Sequence, residues 1–230
     1  MNPTLDLYQV VNGQQVLQAN NDNWGSQPEA TLALYKQLSA AVGAFDFITD
    51  SNDSGLLRQG VQLSYNSSPQ VYSAVVHGVA GGTGVALLEF YDAASVHARL
   101  LNLSARAKVG SGENILIAGF VVTGTQPLKV LLRGVGPTLS GQGITTVLKN
   151  PKLTVFNSKG EAIQSNDTWS ANANLAELIT ATSKVGAFPL TANSADAALL
   201  TTLKPGAYSV QISSVDGTTG IGLAEIYEVP

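Results

Sequence analysis

The sequence GVALLEFY at residues 84–91 returns as GIGLAEIY at residues 220–227, and this repeat decides how the chain folds. Three further short motifs occur twice, in the same order. The first is NDNW at 21–24 and NDTW at 166–169, the second is VGAF at 42–45 and 185–188, and the third is DSGLL at 53–57 and DAALL at 196–200. Duplication on this scale indicates two versions of one folding unit, each with its own core. It identifies neither a ligand nor a reaction.

The duplication is uneven, because residues 95–149 occur only once. They contain three strand-like runs, at 99–108, 113–123 and 128–133, separated by glycine-rich turns. The sequence therefore predicts a first domain at 1–93 that lacks its leading strands. A complete second domain follows at 94–230, with leading strands at 99–133 and the repeated part at 150–230.

Hydrophobic periodicity predicts the elements inside each repeat. Alternating apolar residues before a glycine turn are typical of a β-hairpin, and a stretch with helical spacing follows the hairpin in both repeats. The tails alternate again, and a Gly-Thr turn before the last strand predicts a closing antiparallel hairpin. Residues 115–122 are apolar at both parities, which predicts a strand covered on both faces. Together these patterns predict an all-β fold of two jelly-roll-like β-sandwich domains, each with one short α-helix.

Composition excludes several classes of function. The chain of 230 residues is 44% hydrophobic and 12% charged, which is typical of a packed globular protein. A net charge of −4 with only 12 Lys and Arg residues argues against nucleic acid as a partner, and no apolar run is long enough for membrane insertion. There is no cysteine for disulfides or thiolate metal sites. The start of the chain lacks the pattern of a secretion signal, yet abundant Ser, Thr, Asn and Gly favour an extracellular or cell-surface location.

Several words in combination resemble a known repeat. They are RLLNLSAR at 99–106, LIAGF at 116–120, LRGVGPTL at 132–139 and PGAY at 205–208, together with NDTW and VGAF of the second repeat. The combination resembles a tandem repeat of long secreted proteins of environmental bacteria, over the whole chain, and no activity comes with it. The closing GAYSVQISS at 206–214 is similar to the end of bacterial pre-peptidase C-terminal-type β-sandwiches, which are accessory domains, some of them calcium-binding.

The missing leading strands suggest the function. A first domain without them exposes a sheet edge and apolar surface. The middle segment could cover that surface, another chain could supply the strands, or the chain could be cut from a longer array. Supply by another chain gives head-to-tail association, and filaments if the rotation does not close. The leading hypothesis is a non-catalytic extracellular structural or adhesion module whose partners are copies of itself or surface proteins.

The alternative hypothesis is a carbohydrate-binding accessory module, with polysaccharide as the partner and calcium as a stabilising ion. Trp24 and Trp169 would then be stacking platforms, although their place beside the helix start in both repeats favours core anchors. An enzyme is disfavoured, because no set of nucleophile, base and orienting residue recurs or clusters in the sequence.

Four carboxylates are candidate calcium ligands: Asp22, Asp167, Asp53 and Asp196. The first two lie within the Asn-Asp-x-Trp words and the other two begin DSGLL and DAALL. Hard cations favour carboxylate and amide oxygens clustered on a loop. The competing interpretation is that these side chains accept hydrogen bonds from turn amides.

Glu89 and Glu225 share strand parity with apolar neighbours, so each is predicted to place a carboxylate on a largely apolar face. A buried carboxylate needs a partner, and Arg133 or Arg106 could supply one for Glu225. If Arg133 serves Glu225, then Glu89 has no counterpart partner inside its own repeat.

Overall fold

The computed structural model describes residues 1–48, 50–57, 70–93, 101–110 and 112–230. The chain divides into unit 1, Met1–Arg99, and unit 2, Leu100–Pro230. Residues 94–100, which include the predicted domain boundary and the start of the predicted strand 99–108, lie outside the described residues. The described elements are β1 (Pro3–Val11), β2 (Gln14–Asn21), α1 (Glu29–Val42), β3 (Tyr72–Gly78), β4 (Asn102–Val109), β5 (Leu116–Val122), β6 (Leu128–Val135), β7 (Pro151–Asn157), β8 (Ala162–Asn166), α2 (Leu175–Lys184), β9 (Ala197–Leu203), β10 (Gly206–Ser214) and β11 (Gly220–Glu228).

The fold is all-β, as predicted, with short helices beside the sheets. Unit 2 contains two antiparallel four-stranded sheets: a front sheet ordered β5-β10-β7-β8 and a back sheet ordered β4-β11-β6-β9. One apolar core contains side chains from both sheets, and a second contains side chains from the back sheet and α2. Within the described residues, neither helix has the length and apolar character needed to span a membrane.

β6 is the strand that is covered on both faces. Residues 115–122, for which this was predicted, are not covered on both faces. Leu132 of β6 belongs to the core between the sheets and its neighbour Leu131 to the core under α2, so both parities are apolar. The prediction for 115–122 was wrong because β5 is an edge strand of the front sheet with one open face. Ile117 and Val121 on that face are 55% and 66% exposed.

The predicted closing hairpin was also wrong. β10 pairs with β5 and β7 in the front sheet, whereas β11 pairs with β4 and β6 in the back sheet. The turn at 215–219 therefore carries the chain from one sheet to the other. Alternation shows that a segment is a half-buried strand, but it does not choose the neighbouring strand.

Unit 1 contains a three-stranded antiparallel sheet ordered β2-β1-β3. By sequence these strands correspond to β8, β7 and β10 of the front sheet. The predicted hairpin is confirmed: Asn12 and Gly13 join β1 to β2 with φ values of 51° and 76°, as a tight primed turn requires. The predicted helix is present too, and α1 ends at Gly43 in the left-handed conformation.

Unit 1 has no counterpart of the back sheet in its described residues. Residues 84–91, which repeat the sequence of β11, form no strand there. Of the described hydrophobic side chains of unit 1, only that of Trp24 is buried, at 6% exposure. The described part of unit 1 has one sheet and one α-helix. Without a second sheet, it has no interior in which more apolar side chains can be enclosed.

Candidate functional site

Both units contain the same hydrogen-bonded clip around the tryptophan. In unit 1, Trp24 Nε1 donates to Ser51 Oγ at 3.3 Å, and Ser51 Oγ donates to an Asp53 carboxylate oxygen at 2.7 Å. In unit 2, Trp169 donates to Ser194 at 3.2 Å, and Ser194 donates to Asp196 at 2.5 Å. The clip ties the loop after the first hairpin to the segment before the last strands.

The clip places both indoles inside their units, since Trp169 is only 9% exposed and Trp24 is equally enclosed. A sugar-stacking platform needs an open aromatic face, and neither tryptophan offers one. The sequence identified Trp24 and Trp169 but not their serine partners. Ser51 and Ser194 each lie two residues before the repeated aspartate, and this spacing is the signal that could have found them.

The four candidate calcium ligands occupy two kinds of position. Asp22 and Asp167 lie exposed at the loop surface. Asp196 is fully buried and accepts hydrogen bonds from Gly136 N at 2.7 Å, Thr138 N at 3.2 Å and the Thr138 hydroxyl. Its oxygens are thus occupied by donors rather than open to a cation. Across the described residues, no three His, Asp or Glu side chains lie close enough to share an ion.

Among the described residues, Asp53, the counterpart of Asp196, accepts fewer hydrogen bonds. Its carboxylate accepts the hydrogen bond from Ser51 within its own unit. The loop that supplies Gly136 and Thr138 to Asp196 follows β6, and unit 1 has no repeat of that loop in its sequence. Unit 1 therefore contains the acceptor, Asp53, but no equivalent of the loop that supplies Gly136 and Thr138 as donors in unit 2.

A buried ion pair joins two neighbouring strands of the back sheet. Glu225 of β11 lies directly opposite Arg133 of β6, and Arg133 Nε is 3.1 Å from Glu225 Oε2. Arg133 is fully buried and Glu225 is 4% exposed. Arg133 also donates to the Phe188 carbonyl at 2.7 Å and lies 4.4 Å from the centre of the Phe188 ring. Tyr227 donates to the other oxygen of Glu225 at 2.8 Å.

Burial dominates the electrostatics of this pair. Loss of solvent raises the pKa of Glu225, against the opposing effects of the Arg133 charge and the Tyr227 hydrogen bond. Burial, followed by the charge and hydrogen bond of Glu225, raises the pKa of Tyr227 well above its usual value of 10. The pair therefore aligns β11 with β6, and it contributes to stability only while both partners are present.

Unit 1 repeats the acidic half of this arrangement without the basic half. Tyr91 donates to Glu89 at 3.1 Å, as Tyr227 does to Glu225. Glu89 is exposed, so the prediction that it lies on a strand face among apolar neighbours was wrong. The physical reason is that residues 84–91 have no flanking strands among the described residues of unit 1. We call residues 84–91 the exposed segment.

The exposed segment carries apolar side chains in water. Val85 is 91% exposed, Leu87 72% and Phe90 45%. In β11 the counterparts of Leu87 and Phe90, Leu223 and Ile226, lie between β4 and β6, and Ile226 is 6% exposed. The counterpart of Val85, Ile221, pairs with β4 and is half-buried. Runs of apolar side chains this exposed are typical of interaction surfaces.

A cleft of about 360 Å³ lies under α1, lined by residues of β2, α1 and the DSGLL segment. In unit 2 the underside of α2 packs on the back sheet through Leu178. Tyr35 holds the equivalent position in α1, and its pKa is raised by burial and by the charge of Glu89.

Comparisons with known proteins add little to this geometry. No protein-family model matches the chain, and no curated protein matches it. Among solved structures, the pre-peptidase C-terminal domain of collagenase from Bacillus anthracis is similar with a TM-score of 0.34 and 12% identity, over 55% of this chain and 89% of that one. This is the kind of domain that the closing motif resembles, but a TM-score this low carries no argument about function. None of the comparisons shows the tandem repeat of secreted bacterial proteins.

Proposed function

We propose that the chain is a non-catalytic extracellular structural or adhesion module that is joined to other chains by the addition of β-strands to unit 1. The observation that carries the proposal is the contrast between the exposed segment and β11. The same sequence pattern is a central, enclosed strand in unit 2 and an open, apolar segment in unit 1. Strand addition satisfies the backbone of such a segment and removes its apolar side chains from water.

Copies of the chain and other surface proteins are the proposed partners. If the added strand comes from another copy, the contact joins different surfaces on the two molecules. Such a contact repeats from molecule to molecule and builds a head-to-tail filament when the rotation does not close. Among the described strands of unit 2, the edge strands β4, β5 and β8 offer backbone groups for this pairing. The edge of β9 is already hydrogen-bonded to asparagine side chains.

Light scattering and electron microscopy of the purified chain over a range of concentrations test association between copies. We expect the average mass to rise with concentration, and Leu87→Lys to prevent the rise because a charge replaces an apolar contact in the exposed segment. Ile179→Lys is the matched control, since Ile179 is an exposed apolar residue of α2 and lies on none of the edge strands of unit 2. A clean monomer at high concentration, or equal effects of the two variants, would contradict association of copies through the exposed segment.

A further inference from the structure

One segment of unit 2, residues 128–138, supplies partners to two acidic side chains that unit 1 repeats. Arg133 pairs with Glu225, and Gly136 and Thr138 donate to Asp196. The counterparts of these acids in unit 1 are Glu89 and Asp53. Among the described residues, their side chains accept hydrogen bonds from Tyr91 and Ser51 of their own unit, with no arginine and no glycine-threonine loop beside them.

We infer that unit 1 binds a strand-and-turn segment from outside residues 1–230 whose chemistry copies residues 128–138. The strand is apolar and carries one arginine for Glu89. Three residues later comes a glycine, and a threonine lies two residues beyond it, both donating to Asp53. This inference rests on the proposed strand addition and names the strand that fits.

The register in unit 2 shows how such a strand sits. Glu225 and Arg133 are directly opposite each other on antiparallel strands, so an arginine opposite Glu89 fixes the position of the added strand along the exposed segment. In unit 2 the guanidinium also packs on Phe188. The counterpart ring in unit 1, Phe45, is 58% exposed and contacts Phe47, which stacks on Tyr35. The charge of Glu89 contributes to the raised pKa of Tyr35.

The cleft under α1 fits the same segment. In unit 2 the side chains of Leu131 and Val135, on the face of β6 that is turned to α2, fill the space beneath that helix. An added strand with apolar residues at these positions would fill the equivalent space in unit 1, which is open. An added strand therefore needs two properties: an arginine that pairs with Glu89, and apolar residues that fill the cleft.

A folded copy of this chain is a poor donor of the strand. Its own segment lies in the centre of the back sheet, and Arg133 is fully buried there. Removing that strand would leave Glu225 buried without its cation, a cost that completing unit 1 of a neighbour would only offset. Each chain also contains one set of leading strands, residues 99–133, for two repeated parts. Exchange between copies would therefore complete unit 1 of one molecule by removing strands from unit 2 of another. The donor is therefore a segment from outside residues 1–230 that is not already paired in a back sheet of its own.

The experiment uses the full chain and a fluorescein-labelled synthetic peptide with the sequence of residues 126–138. Binding is measured by fluorescence anisotropy, and hydrogen exchange with mass spectrometry locates the bound peptide. The variant peptide contains Arg133→Gln, and the variant chain contains Glu89→Gln. Glu113→Gln, an exposed acid of unit 2, is the matched control.

We expect the wild-type pair to bind and to protect residues 84–91 from exchange. Either substitution should weaken binding by about tenfold or more, as expected for one partner of a desolvated charge pair, and the two together should cost little more than one. Chain Glu89→Arg should prefer a peptide with Arg133→Glu over the wild-type peptide. Glu113→Gln should change nothing.

Equal affinity for the arginine and glutamine peptides would overturn the arginine site and leave strand addition intact. Protection confined to β11 would overturn the assignment to unit 1, since the peptide would then have replaced β6. Absence of binding would overturn the inference, while the proposed function would still stand or fall by the association of the chain. Association of copies that requires Glu89 without any peptide would show another copy as donor and overturn the choice of a segment from outside residues 1–230.

Discussion

Replacing Glu225 by glutamine should strongly destabilise unit 2, whereas the same change at its repeat, Glu89, should not. Glutamine keeps the shape of the side chain and can still accept from Tyr227, so the change removes charge without making a cavity. Arg133, fully buried and 3.1 Å from the lost charge, is then left with the Phe188 carbonyl and ring as its remaining contacts. An uncompensated buried charge costs about 3–5 kcal/mol, a large part of the stability of a domain.

Glu89 is the internal control, because it holds the same place in the repeated Leu-x-Glu-x-Tyr pattern and no buried arginine lies beside it among the described residues. A surface substitution of this kind changes stability by no more than about 0.5 kcal/mol. The double replacement Arg133→Met and Glu225→Leu removes both charges and keeps most of the volume. We expect it to recover most of the stability lost in Glu225→Gln, since apolar replacements of buried ion pairs are often close to neutral.

Urea denaturation followed by tryptophan fluorescence measures these effects. Each unit has one tryptophan, so a Trp24→Phe background leaves Trp169 as the reporter of unit 2. Equal shifts of the midpoint for Glu225→Gln and Glu89→Gln would refute the assignment of the ion pair to unit 2 alone. A double replacement less stable than Glu225→Gln would refute the view that the pair matters through its unpaired charge.

Four further results are expected from urea or thermal denaturation. Asp196→Asn should lower the stability of unit 2 by about 1–3 kcal/mol, because an amide leaves buried donors of its loop unpaired, and equal loss in Asp53→Asn would contradict this. The raised pKa of Tyr227 gives stability that is present below pH 10 and lost as the pH rises further, so Tyr227→Phe should flatten the alkaline loss; an unchanged loss would argue against it. Gly220→Ala should cost about 1–3 kcal/mol, since its methyl group would lie 2.3 Å from the Val147 carbonyl oxygen, whereas Gly84→Ala meets only Met1 at 3.1 Å and should cost less. EDTA should leave the Tm unchanged, and a fall of several degrees would establish a structural cation.

Local patterns predicted most of the elements. The turn Asn12-Gly13, the helical spacing before Gly43 and the alternation around Val210 each depend on neighbours in sequence, and each led to the observed element. The predictions that failed concerned what lies beside a strand. Residues 115–122 and the exposed segment both read as enclosed strands, yet the first is at a sheet edge and the second has no flanking strands among the described residues.

The candidate site was predicted only in part. Glu225 was predicted to pair with Arg133 or Arg106, because a carboxylate on an apolar strand face needs a cation, and the structure places Arg133 opposite it. The role of Asp196 was missed, because its donors in the loop after β6 lie far from it in sequence. The cleft under α1 could not be predicted at all, since it exists only where a helix and a sheet meet without a second sheet between them.

The sequence by itself determined that this protein is all-β and that one pattern occurs twice in it, with residues 95–149 present only once. Repetition and periodicity are properties of the chain, so they can be read from it directly. The tertiary structure decided which acids have partners. Cross-strand pairing gave Arg133 to Glu225 and left Glu89 on an open segment, because a side chain acquires its partner from the strand placed beside it and not from its own sequence.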